Sequence, residues 1–264
     1  MRIATVNAWG GALAAELLAW LPRSGADIVC LQEVTRTPGV SGWTRFDDGD
    51  HSLPQRADLL DDVRGALPRH QAIFVAGDSG PVHDGSGARH RQDFGLATLV
   101  GERLPVTGID SGFVHGEFTD HSEWAVSDRP RVALAVRTHD RDAGRSVWVV
   151  QMHGLRDAAG KGDTPARLGQ AERLAALVRR IRGPRDLVVV CGDFNLLPGS
   201  ETFGILAGVG LTDLVGTAGT RTSHYPKPVR HASYLLVSDP TAVRRFEILS
   251  EPEGSDHRIL ILDI

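Results

Sequence analysis

Nine short apolar or β-branched runs, at residues 3–6, 28–31, 72–75, 96–100, 132–137, 147–152, 187–191, 234–237 and 259–264, punctuate the chain and exclude a helical protein. Several of them, such as DLVVVC and ILILDI, are apolar without alternation, the pattern of strands covered on both faces. Helices must supply that cover. Three stretches carry a helical stripe: 11–21 through Leu13, Leu17 and Leu21, 55–67 through Leu59, Leu60, Val63 and Leu67, and 165–182 through Leu168, Ala171, Ala175, Val178 and Ile181. Thr164 reads as the N-cap of the last and Gly183-Pro184 as its stop. With no internal repeat and no compositional break, residues 1–264 are expected to form one α/β domain.

Residues 76–93, 107–130 and 216–231 read as long loops, and loops of that length in a compact domain are usually functional. Phe113, Phe118, Trp124, Arg221, His224 and Tyr225 are therefore expected to face substrate. The balance of 29 basic and 33 acidic residues argues against an affinity carried by bulk attraction to nucleic acid or anionic lipid. Cys30 and Cys191 sit inside apolar runs as buried free thiols, and no Cys/His zinc spacing exists. No apolar run reaches the roughly 20 residues of a membrane helix, so a cytoplasmic protein with no obligate protein partner is expected.

Polar side chains fall at the ends of these runs. IATV is followed by Asn7, IVCLQ by Glu33, VWVVQM by His153 and LVVVCG by Asp193 and Asn195, while Asp256 and His257 precede ILILDI. In a sheet with antiparallel neighbours such positions can converge on one rim. An Asn, a Glu, two Asp and two His without Cys form an oxygen-rich set suited to Mg²⁺ or Mn²⁺, the ions of phosphate chemistry.

Thr5-Val6-Asn7-Ala8-Trp9-Gly10, Leu31-Gln32-Glu33-Val34, Gln151-Met152-His153, Gly192-Asp193-Phe194-Asn195 and Ser255-Asp256-His257-Arg258 occur in an order that resembles the endonuclease/exonuclease/phosphatase superfamily. The resemblance implies a four-layer α/β sandwich with two central mixed β-sheets flanked by helices. It implies a Mg²⁺- or Mn²⁺-dependent phosphoric ester hydrolase, with Glu33 the principal metal carboxylate and Asn7 and Asp256 near the ion. Asp193 would orient or deprotonate the attacking water, Asn195 would hold it, and His153, His257 and Arg131 (in preference to Arg129) would contact the phosphate. Asp93 is expected to orient His153, and Arg221, His224 and Tyr225 to bind substrate.

One position departs from the pattern: Ser233 stands where the family usually has an Asp that orients the terminal His. A Ser can hydrogen-bond imidazole but cannot stabilise its charged form. Gly77-Asp78-Ser79-Gly80-Pro81 resembles a serine-protease motif but lacks its second Gly and any matching triad, and there is no GxSxG, HExxH or Walker loop. A phosphodiesterase or nuclease is the leading expectation. A phosphomonoesterase or phospholipid-headgroup hydrolase of the same fold, and a degenerate binder of phosphorylated ligands, are the alternatives.

Overall fold

The computed structural model describes residues 1–264 except 51, 126, 158 and 159. Its strands are β1 (Arg2–Asn7), β2 (Ile28–Arg36), β3 (Trp43–Asp47), β4 (Ser52–Arg56), β5 (His70–Asp84), β6 (Arg89–Gly101), β7 (Val106–His115), β8 (Thr119–Asp120), β9 (Arg131–Asp140), β10 (Arg145–His153), β11 (Leu187–Asp193), β12 (Thr212–Asp213), β13 (Ser233–Val237), β14 (Arg245–Ile248) and β15 (Leu260–Asp263). The helices are α1 (Ala14–Trp20), α2 (Leu59–Ala66), α3 (Pro165–Ile181) and α4 (Glu201–Ala207).

One sheet runs β14-β15-β1-β2-β6-β5-β3-β4 with β8 against β5, and the other runs β12-β13-β11-β10-β9-β7. Both are mixed, since β1 with β2 and β10 with β11 are parallel pairs. Along β1 and β2 the faces alternate: Ala4, Val6, Val29 and Leu31 pack outward against Leu17 of α1 and Leu59 and Val63 of α2. Ile3, Ile28 and Cys30 turn inward to the second sheet, and helices α3 and α4 add Leu174, Val178 and Leu206 to the same core. This is the expected four-layer sandwich. Cys30 and Cys191 meet between the sheets as buried free thiols.

Register brings the strand-end polar residues together. Asn7 lies beside Gln32 in the first sheet. In the second, His153, Asp193 and Ser233 form one row across β10, β11 and β13. Beneath them a buried amide pair ties the sheets: Gln32 Nε2 donates to Gln151 Oε1 at 2.8 Å, and Gln151 Nε2 donates to Ala97 O and Thr98 Oγ1, each at 2.8 Å.

The structure differs from expectation in the loops. Residues 76–93 form a hairpin, because a bulge between Ala76 and Asp78 breaks the alternation that would have marked a strand. Residues 107–115 belong to the edge strand β7, where half-buried and exposed positions alternate over most of its length without a run of β-branched residues. Gln55 lies in β4 and not in a helix. In α3 the buried stripe includes Arg167 and Gln170 and leaves Leu168 and Ile181 half-buried. Arg167 Nη2 donates to Gly160 O at 2.7 Å and Leu155 O at 3.2 Å, and Gln170 Oε1 accepts from Leu155 N at 2.8 Å, so these polar groups hold the segment that follows β10. Among the described residues no helix is long and apolar enough to cross a membrane.

Gly192 is fixed by this packing: its φ is +130°, and a Cβ there would lie 2.1 Å from Met152 O on the parallel neighbour. Gly192→Ala should cost about 2–4 kcal/mol of stability. Gly112→Ala, where an added Cβ meets nothing within 4 Å, should stay within about 0.5 kcal/mol of the parent. Equal denaturant midpoints for the two variants would refute this account of Gly192.

Candidate active site

The rim carries a cleft of about 590 Å³ lined by Glu33, Arg131, His153, Asp193, Asn195, Arg221, Tyr225, Asp256 and His257 among others. Trp9, Glu33, Asp128 and Asn195 are the non-glycine residues with positive φ among the described residues, and all four line this cleft. Left-handed backbone at a non-glycine residue costs on the order of 1–3 kcal/mol and gathers where side chains must be aimed.

Asp193 is the hub. Its Oδ1 accepts from Asn195 N at 2.9 Å and its Oδ2 from Asn7 Nδ2 at 3.0 Å. The Nε2 atoms of His257 and His153 stand 3.3 and 3.7 Å from Oδ2. The same Asn7 amide donates to Glu33 Oε1 at 2.8 Å, while Asn7 Oδ1 accepts from Trp9 N at 2.9 Å. Asn195 Nδ2 donates to Gly154 O at 3.3 Å. Burial works against the Asp193 carboxylate, but His257, His153, Arg221 and Lys161 outweigh it and hold the group below the usual carboxylate range. Burial moves the others the opposite way, raising Glu33 and lowering His153 and His257, the last to about 3. Desolvation likewise brings Arg131 down to about 10, and its Nε has no hydrogen-bond partner among the described residues.

Ser233 Oγ lies 2.8 Å from His257 Nδ1. An ionised Asp193 can only accept, so the hydrogen of a neutral His257 belongs on Nε2, and Nδ1 must accept from the Ser233 hydroxyl. With Asp at 233 the imidazole would have to give Nδ1–H to that carboxylate. Ser233 thus selects a neutral ring that still presents a donor to the cleft.

Several expected site residues lie elsewhere. Asp93 faces Arg36 at 3.4 Å across the β2–β6 pairing and does not line the cleft, so it does not orient His153. His224 turns to Glu253, 3.6 Å away, and is also outside it. Trp124 is buried against Phe46 and Phe94, Phe113 packs on the core, and Phe118 is exposed outside the cleft, so none of the three faces substrate there. Arg221 does line the cleft, but it is buried, its Nη1 is bonded to Asp256 Oδ2, and its guanidinium lies 4.0 Å over the Tyr225 ring. Asp256 is therefore engaged by an arginine, and Asn7 by Trp9.

Two cleft-side groups had no sequence signal. Asp78, inside the protease-like motif, is buried, binds Arg129 through two bonds of 2.7 and 2.9 Å, and lines a small cavity with Arg131 and His153. Lys161 lines the cleft at the end of the segment pinned by Arg167.

The chain belongs to the endonuclease/exonuclease/phosphatase family, whose model matches residues 4–257. No curated protein matches it significantly. Among solved structures it is similar to a mannosyl-6-phosphatase of Bacteroides thetaiotaomicron, with 16% identity, TM-score 0.67, and 100% of this chain and 98% of that one covered. It is similar to the human Nocturnin catalytic domain with bound sulfate, with 17% identity, TM-score 0.64 and coverage of 99% and 92%. It is also similar to D. rerio TDP2 complexed with a single-strand DNA product, with 14% identity, TM-score 0.65 and coverage of 99% and 97%. At these identities the likeness establishes the fold.

Ser233→Asp should raise the pKa of His257 by about one unit or more, because a carboxylate favours the charged ring. The imidazole Cε1–H resonance followed by NMR against pH reads this directly. A His257 titration unmoved by the carboxylate would show that residue 233 does not govern the ring.

Proposed function

We propose that the chain is a divalent-metal-dependent phosphodiesterase that directs water onto phosphorus. The observation that carries this reading is Asp193, an ionised carboxylate held between the Nε2 atoms of two imidazoles and the Asn7 amide, in a cleft that Arg131 also lines. In that reading Asp193 orients the water and takes its proton. The water oxygen forms the new bond to phosphorus as the ester P–O bond breaks, and the departing oxygen takes a proton from solvent. Asn195 flanks the water, and Arg131, His153 and His257 Nε2–H donate to the non-bridging oxygens, whose charge grows in the transition state.

The donor set suits a hard cation. Ligand atoms of Glu33, His153 and Asp193 lie within 4.8 Å of one another, and burial leaves Glu33 with its charge poorly compensated. Glu33 is the principal ligand in this reading, while Asn7 and Asp256 would have to leave Trp9 and Arg221 to share it. Bound there, Mg²⁺ or Mn²⁺ would supply Lewis-acid stabilisation of a phosphate oxygen. A cleft of about 590 Å³, whose apolar lining includes Phe46, Leu53, Phe94, Leu197 and Val229, is the size of a compact organic substrate. That favours a small phosphodiester over a long nucleic-acid strand, which would need an extended cationic track.

Glu33→Gln should weaken Mn²⁺ binding, read by electron paramagnetic resonance, and remove most activity at low metal with partial rescue at high metal. Full activity in a chelator would end the metal reading.

Asp193→Asn should lower turnover by about 10²–10⁴-fold with little change in KM, since its proposed role is in the attacking water. The substrates to compare are bis(4-nitrophenyl) phosphate, plasmid and single-stranded DNA, RNA, an inositol phosphate and a choline phospholipid. Preference for the monoester or for polymeric nucleic acid would replace the compact-diester reading.

A further inference from the structure

Lys161 and Lys227 are the only lysines among 29 basic residues, and both line the same cleft as Asp193 and His257. Of the arginines nearby, Arg221 is committed to Asp256, Arg129 to Asp78, Arg167 to backbone carbonyls and, in the phosphodiesterase reading, Arg131 to the phosphate that is hydrolysed. Among the described residues no carboxylate lies within salt-bridge distance of either lysine. Lys161 is half-buried, and its Nζ donates to His231 O and stands 5.8 Å from the Tyr225 ring centroid. One carbonyl and one ring face leave a third N–H without a partner. Desolvation brings this ammonium down to about 8, and Asp193 and Asp256 are near enough to act on its charge. A partly desolvated cation that lines a cleft and is bonded to no carboxylate can take an anion, and a compact ammonium suits phosphate as a point charge.

We propose that Lys161 and Lys227, beside Tyr225, form a subsite for a second phosphate carried by the substrate in addition to the one that is hydrolysed. This inference rests on the phosphodiesterase reading and narrows its substrate to compact molecules with two phosphate groups.

Binding separates the inference from turnover. In the Asp193→Asn protein with Mg²⁺, calorimetry compares thymidine 3′,5′-bisphosphate with thymidine 5′-phosphate, and fructose 1,6-bisphosphate with fructose 6-phosphate. The bisphosphate of at least one pair should bind about tenfold more tightly, the scale of one added charge-assisted hydrogen bond, and the pair that shows the preference identifies the carrier. Adding Lys161→Met should bring the ratio within about twofold of one, adding Lys161→Arg should retain most of it, and thermal melts verify folding. A ratio that survives in the Lys161→Met/Lys227→Met protein, a ratio near one in the Asp193→Asn parent, or no bisphosphate binding at millimolar concentration would overturn the subsite. Failure of every diester in the turnover panel would instead overturn the reading on which it rests.

Discussion

The amide pair between Gln32 and Gln151 is the contact on which the site depends. Asn7 and Glu33 belong to one sheet and His153, Asp193 and Ser233 to the other, so their spacing is set by how the sheets sit on each other. Apolar side chains packed face to face tolerate small sliding, whereas a buried amide misplaced by an ångström strands a donor or acceptor at a cost of about 1–3 kcal/mol. Gln151 spends both amide hydrogens on the first sheet, at Ala97 and Thr98, while its oxygen takes the Gln32 amide. The residues one and two places further along the two strands, Glu33 and His153, inherit that alignment.

Above this floor the site keeps strong charge without much net positive character. Burial drives both imidazoles toward neutrality, yet the pull of His257, His153, Arg221 and Lys161 keeps Asp193 ionised. Ser233 completes the arrangement. A hydroxyl can give its hydrogen to Nδ1 and leave Nε2–H for the cleft, so a substitution that removes a charge does not remove the donor.

Much of this was legible because strand ends are simple punctuation: an apolar run that stops at Asn7, Glu33, His153 or Asp193 marks the rim, whatever the sheet order. The parallel pairing of β10 with β11 then places two of these in one row. Elements whose signal is mixed were not legible. The hairpin through residues 76–93 hides behind a bulge and its glycines, so Asp78 passed for part of a loop and Asp93 was placed near a histidine that it never meets. Arg221 read as a substrate-facing loop cation. Its burial follows from the isolated bridge between Arg221 and His257, a pairing 36 residues apart that no local pattern announces. Arg167 and Gln170 broke the helical stripe for a similar reason, since their carbonyl and amide partners lie on the segment after β10.

The distribution of side-chain amines has a consequence for handling the protein. In most proteins lysines are scattered over the surface, and an acylating reagent modifies many sites at once. Here every lysine borders one cleft, and the remaining basic side chains are guanidinium or imidazole. Acylation of lysine is therefore confined to that cleft, and the extent of its protection by a bound molecule becomes a footprint of the site itself, readable on the intact chain by mass.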